Sequence, residues 1–439
     1  MFLQVLLVLV LLNLAQGFAL SGKSTSLKGK SQLHGSIHGG TNTKLKNVRH
    51  QHTRVMAAAA AVPAAAPLIS PVTAASLRAV AKLLSTVGLG GYASKQGMLN
   101  KNALQVLSKL VFGLLQPCML FVNVAQTVSG SAGGTTTWLL PLAAASQILM
   151  GFIIGKFMGN LIYGKGGNAD DKAQTLTGTS FGNSGPLPFV FVDGLFRNHP
   201  DPTILAKANA YISLYLLGWS PLFWMFAPVT LGATDEKGTP AERRAALLKR
   251  VFSPPVTASL LGLVVGLCPP LVKLMMDKKG LLNPVVEAMR TLGTAYVPAV
   301  VLVLAGSLFP SDTESPKTEA KAGGKKFLGQ DLDFIKQIVS IYASRFLLLP
   351  LVGFSAVKAA KKYVPFLAKT LSDEVLVVVL LLEACMPSAQ NSTVIYNLQG
   401  KNLLAARMAR VLMAIYVLGV PAISFWIARI LGANPSLVA

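Results

Sequence analysis

Charge is what this 439-residue sequence has least of. Only 13% of it is Asp, Glu, Lys or Arg, about half the share usual in a soluble globular domain. Acidic residues are scarcest, 17 against 40 basic ones, and the first of them is Asp170. Cysteine is nearly missing: Cys118, Cys268 and Cys385 each sit in an apolar segment. That excludes a disulfide framework and leaves inert buried thiols. Four of the five histidines (His34, His38, His50, His52) precede residue 53, and only His199 follows. A histidine-based metal cluster or a Ser/His/Asp triad has no material to be built from. An enzyme is therefore not expected, nor a metal or organic cofactor.

What the sequence does have is apolar length. It is 52% hydrophobic with a mean hydropathy of +0.54. Runs of about 20 apolar residues, long enough to cross a bilayer, fall near 74–94, 103–128, 136–163, 173–196, 205–232, 250–273, 285–309, 334–357, 373–398 and 404–432. They are too long and too evenly apolar for barrel strands, so helices are expected. The formal charge of +23 is spread over connectors and an N-terminal tail. It suits loops held at a lipid bilayer and not a nucleic-acid-binding face.

The first residues read as an address. Residues 1–17 have a short apolar core ending in Ala15-Gln16-Gly17, the pattern of a cleaved signal peptide. Residues 18–70 begin as a Ser-, Gly- and Lys-rich stretch with no acid and end in an Ala/Pro linker. That is transit-peptide composition. The pair resembles the two-part presequence of algae with secondary plastids. A plastid envelope is expected, with the endoplasmic reticulum as the alternative.

The remaining chain divides into 71–233, a polar loop at 234–249, and 250–439. Five runs lie in each part, which suggests two inverted five-helix repeats. With ten crossings, the basic residues of connectors 234–249 and 310–333 share a side, and both termini face away from the cytosol-like side. The second run of each half holds a proline, Pro117 and Pro298. The fourth is interrupted more heavily. SFGNSGPLPFVFVDGLF in the first half answers to LLLEACMPSAQNSTVIYNLQG in the second. Paired interruptions of this kind are the best sequence pointer to a transporter site.

A proline inside a helix frees the carbonyl four residues back. Pro186, Pro188 and Pro387 are expected to free those of Gly182, Ser184 and Glu383. Beyond each break a half-helix begins with unpaired N–H groups and a partial positive charge, a ready anion site. The candidate binding residues are Asn183, Ser184, Gly185, Pro186, Pro188, Pro387, Ser388, Gln390 and Asn391. Glu383, an acid within an apolar run, is a candidate for coupling or gating, with Pro117 and Pro298 as candidate hinges. Asp193 reads as a solvated interfacial acid. Trp138, Trp219, Trp224 and Trp426 read as interface anchors or packing.

At these residues the chain resembles the auxin efflux carrier family, in its PIN-like (PILS) branch, over about 74–432. KLVFGLLQPCMLFVNVA, SFGNSGPLP, AYISLYLLGWSPLFWMF and MPSAQN are similar to that family's second, fourth, fifth and ninth spans, in order. The resemblance implies a ten-helix carrier whose fourth and ninth helices cross at their breaks, moving small organic carboxylates by elevator-like alternating access without a cofactor. Ser388 stands where the family usually has a second proline, so the substrate need not be auxin. A sodium-coupled anion symporter of the bile-acid carrier type and a non-transporting anion sensor stay open as alternatives, as does a homodimer.

Overall fold

The computed structural model describes residues 71–130, 135–164, 168–232, 245, 248–250, 252–309, 332–434 and 437. The signal peptide, the transit-like segment and most of both polar loops lie outside the described residues. Among those described, helix is the only regular element, and the ten expected segments follow in order. They are α1 (Pro71–Lys95), α2 (Lys101–Gly130), α3 (Thr135–Tyr163), the pair α4 (Ala169–Ser180) and α5 (Pro186–Phe196), and α6 (Thr203–Thr230). The second half has α7 (Pro254–Leu267) and α8 (Pro269–Met275), α9 (Asn283–Leu308) and α10 (Leu332–Tyr363). A connector α11 (Pro365–Thr370) precedes the pair α12 (Glu374–Ala384) and α13 (Asn391–Leu398), and α14 (Asn402–Gly432) ends the series.

Six of these helices are each long and apolar enough to cross a membrane: α2, α3, α6, α9, α10 and α14. The sixth run departs from expectation. It is not one straight crossing, because α7 and α8 meet at an angle of 107°. Cys268 leaves the helical region there, and Pro269 and Pro270 can only open a new helix.

Two prolines within the long helices are absorbed by widened turns. A π-turn at Val111–Leu115 precedes Pro117, and another at Ser344–Leu348 precedes Pro350. Opening the turn relieves the clash between the ring and the carbonyl four residues back. The carbonyl freed by Pro350, that of Phe346, accepts from Trp426 Nε1 at 2.7 Å. Pro117 therefore does not break α2.

The helices pack in two sets, and glycines mark where backbones touch within each. In one set α2 meets α7 and α9. A Cβ on Gly262 would lie 2.7 Å from Phe121 O, and one on Gly293 2.8 Å from Met119 Cα. In the other, α3 meets α4, where a Cβ on Gly151 would lie 2.6 Å from Ser180 Cα. The outer face of α3 leaves Leu142, Leu149, Ile153, Phe157 and Leu161 exposed, as a lipid-facing helix requires.

Helix α4 is polar yet buried, which composition did not suggest. Asp171, Gln174, Thr175, Thr177, Thr179 and Ser180 are all shielded. Neighbours satisfy much of this polarity. Asp171 pairs with Arg407 of α14 at 2.5 Å. Gln337 Nε2 of α10 donates to Gln174 Oε1 at 3.1 Å. Thr177 and Thr230 share a hydroxyl bond of 2.8 Å with α6.

Asp373 fixes the start of α12. Its Oδ1 accepts from Val375 N at 3.1 Å and Leu376 N at 3.4 Å. Its Oδ2 accepts from Tyr211 at 2.5 Å and pairs with Lys207 at 2.8 Å. Burial pushes this carboxyl's pKa up, but the bonds from Lys207 and Tyr211 outweigh burial and hold it below the usual carboxylate range. A depressed acid contributes stability above its unfolded-state pKa, and that share is lost as pH falls through the folded value. Asp373→Ala is expected to lower stability by about 1–2 kcal/mol. The loss should shrink in thermal melts made at pH values below the usual carboxylate range. An unchanged melting midpoint near neutrality would sink the capping role.

Candidate functional site

The fourth and ninth segments break at the same depth and face each other. Helix α4 stops at Ser180 and α5 starts at Pro186. Helix α12 stops at Ala384 and α13 starts at Asn391. The two gaps pair as an antiparallel bridge, Gly182 opposite Ser388. Asn183 N donates to Pro387 O at 2.6 Å, and Ala389 N donates to Phe181 O at 2.9 Å. Ser388 Oγ adds a 2.7 Å bond to Gly178 O. The break thus satisfies part of its own backbone. The N–H of Ser388 takes no part in the bridge.

This geometry corrects the expectation about freed carbonyls. Pro186 opens α5 at its first turn and interrupts nothing. The carbonyl of Gly182 accepts from Ser184 N at 3.0 Å, and that of Glu383 accepts from Cys385 N. The carbonyls that take partners from elsewhere in the fold are those of Gly178, Thr179, Phe181, Met386, Pro387 and Ser388.

A tyrosine holds each of the two key amides. Asn183 Nδ2 donates to the Tyr416 hydroxyl at 2.7 Å, and that hydroxyl donates to Ser388 O at 3.0 Å. The Tyr296 hydroxyl lies 3.0 Å from Asn391 Oδ1 and 2.8 Å from Asn391 Nδ2, so it can donate to the one or accept from the other.

Beside the crossing is a cavity of about 10 Å³, room for roughly one water. Of the sequence candidates, Asn183, Gly185, Pro186, Gln390 and Asn391 line it. Ser184, Pro188, Pro387 and Ser388 are buried behind it. Pro117 and Pro298 do not reach it, although their neighbours Gln116 and Tyr296 do. Sequence reasoning missed those two, together with Leu216, Trp219 and Ser220 of α6 and Met119 and Leu120 of α2.

The cavity wall carries buried polar atoms without partners: both amide atoms of Gln390, Trp219 Nε1, Ser220 Oγ and Gln116 Oε1. The backbone N–H groups of Gly185, Gln390 and Asn391 donate to no backbone carbonyl either. Among the described residues, no charged side chain lines the cavity. Trp219 is stacked on Phe223, centroids 4.9 Å apart and planes 10° apart, so its N–H is held in a fixed direction. Of the four tryptophans only Trp138 is exposed. Trp219, Trp224 and Trp426 are buried, so they are not interface anchors.

Behind the cavity, Glu383 is fully buried, with the Ser184 hydroxyl beside its carboxyl group. Ser184, Tyr215 and Arg345 are its polar neighbours. Asp193 lies on the surface, paired with Arg197.

Two broken helices are thus crossed through a backbone bridge, with a donor-lined cavity beside them. The family model described as membrane transport protein matches residues 75–427. The chain belongs to that family. Protein PIN-LIKES 1 of Arabidopsis thaliana is 23% identical over 363 residues, 73% of this chain and 72% of the relative. Protein PIN-LIKES 3 of the same plant is 22% identical over 372 residues, 74% and 89% of the two chains. Protein PIN-LIKES 2 is 31% identical over a shorter stretch of 153 residues, 35% of this chain and 29% of the relative. The PIN-like resemblance carried by the second-, fourth-, fifth- and ninth-span motifs therefore stands. This membrane transport protein is an integral membrane carrier and not an enzyme.

Proposed function

We propose that this carrier moves small organic carboxylates, of the kind represented by an indole carboxylate. The supporting observation is the wall of unpartnered donors. Trp219 Nε1, Gln390 Nε2, Ser220 Oγ and the N–H groups that open α5 and α13 all border one neutral cavity. A buried donor without a partner is costly, and an anion's oxygens would satisfy several at once. Two half-helix N-termini add partial positive charge without a fixed cation. The apolar wall of Met119, Leu120 and Leu216, with the rings of Trp219 and Tyr296, suits a ring-bearing body.

A cavity near 10 Å³ admits no such molecule, so binding needs movement. The wall itself suggests which. Gln116, Met119, Leu120 and Tyr296 belong to the α2–α7–α9 set, and the other lining residues to the crossing set. Sliding one set against the other is an elevator-type motion, and it would break the Tyr296–Asn391 contact. Glu383 stands ready as the coupling or gating acid. On the strength of residues 1–54 we place the carrier in the envelope of a secondary plastid, with the endoplasmic reticulum as the alternative.

The test is uptake by purified protein in liposomes, with labelled indole-3-acetate and a panel of small carboxylates, with and without Na⁺ and a pH gradient. Saturable uptake without Na⁺ is expected. Binding without flux would make the protein a sensor, and uptake only with Na⁺ would make it a cation symporter.

A further inference from the structure

Arg345 is the largest fully buried side chain among the described residues, 1% exposed. It lies in the widened turn of α10. Its Nε donates to Met386 O at 2.8 Å, its Nη2 donates to the same oxygen, and its Nη1 donates to Thr179 O at 3.3 Å. Those carbonyls belong to the ends of α4 and α12, the two half-helices that stop at the crossing. A helix C-terminus carries partial negative charge, and here two such ends converge. Gly182 lies against the guanidinium so closely that any Cβ there would collide with it. Arg345 forms no ion pair within 4.0 Å, although the Glu383 carboxylate is a neighbour. The cation is therefore spent on backbone oxygen.

Carbonyl oxygens from two helix ends, with a carboxylate nearby, are the ligands a hard monovalent cation takes. We propose that Arg345 is the resident cation of the crossing. It is a positioning residue: its guanidinium fills the place a bound Na⁺ would otherwise take, and it holds the two half-helix ends together against their like partial charges. The carrier then binds its anion without a coupling metal cation. This rests on the carrier reading and adds to it the assignment of the charge that makes the crossing stable.

The experiment uses the full chain in detergent and in liposomes. Wild type, Arg345→Lys, Arg345→Gln and Arg345→Ala are melted at matched ionic strength in choline, Na⁺ or low millimolar guanidinium chloride. Wild type is expected to melt at the same temperature in all three. Arg345→Ala is expected to gain several degrees in Na⁺ or guanidinium over choline, as a ligand of the native state requires. Arg345→Lys should melt above Arg345→Gln, because it keeps the charge. Uptake without Na⁺ should fall roughly tenfold or more in Arg345→Gln, with part recovered in Arg345→Lys.

Arg345→Ala indifferent to the cation would overturn the proposal, as would a wild type stabilised by Na⁺ in particular. If Arg345→Ala does not fold, equal melting of the Lys and Gln variants overturns it instead. The melting arm needs no transported anion. A wild type that carries nothing would count against the carrier reading and leave the resident-cation result to stand or fall separately.

Discussion

Gly182→Ala is expected to cost about 3–5 kcal/mol of stability, the scale of disrupting a buried charged contact. Its Cβ would meet the Arg345 guanidinium, which is buried and bonded to Met386 O and Thr179 O. Arg345 would have to withdraw from Met386 O and Thr179 O, leaving two buried carbonyls and a buried cation without partners. Against a total margin of about 5–15 kcal/mol, little folded protein should be recovered. A double-mutant cycle isolates the cause. On an Arg345→Ala background the guanidinium is gone, and Gly182→Ala should then cost well under about 1 kcal/mol. If the alanine costs as much on both backgrounds, the bridge between Gly182 and Ser388 and not Arg345 demands the glycine.

Gln390→Leu is expected to act in opposite directions on stability and transport. The Gln390 amide is 2% exposed and neither of its polar atoms has a hydrogen bond. Replacing a buried, unpartnered polar group with an apolar one of similar size removes a desolvation cost of about 1–3 kcal/mol, so the melting midpoint should hold or rise. The same change takes away a donor that the anion would use. A hydrogen bond to a charged group is worth about 1.5–3 kcal/mol, so uptake at low substrate should fall roughly 10- to 150-fold. Uptake rates and melting curves on one preparation decide it. A variant that transports normally would place the anion elsewhere. One that loses both stability and transport would make Gln390 a packing residue whose partner is formed in another state of the carrier.

Both expectations turn on residues whose types are plain in the sequence and whose roles are not. Glycine and proline at 182–188 and proline at 387 announced interruptions, because a helix in lipid cannot carry them without local compensation. Asn183, Gly185, Pro186, Gln390 and Asn391 were legible on that ground, and they do meet at one cavity. Arg345 could have been found by the rule that singled out Glu383, since an ionisable residue inside an apolar run points to function. It sits in the run 334–357, apart from the paired proline motifs of the fourth and ninth segments, and so drew no attention. Trp219 and Ser220 carried no signal, because in a membrane helix a tryptophan or serine reads the same whether it packs, anchors or binds.

The sequence alone determined the class of molecule. Apolar runs of bilayer length, few charges and broken fourth and ninth segments follow from local composition and the hydrogen-bonding demands of lipid, which need no knowledge of neighbours. Only the tertiary structure decided what the breaks are for. Residues some 200 positions apart supply each other's partners there: Phe181 with Ala389, Asn183 with Tyr416, Thr179 with Arg345. Hydrogen bonding and charge are satisfied by proximity in space, and chain order does not record which distant carbonyl a buried guanidinium will reach.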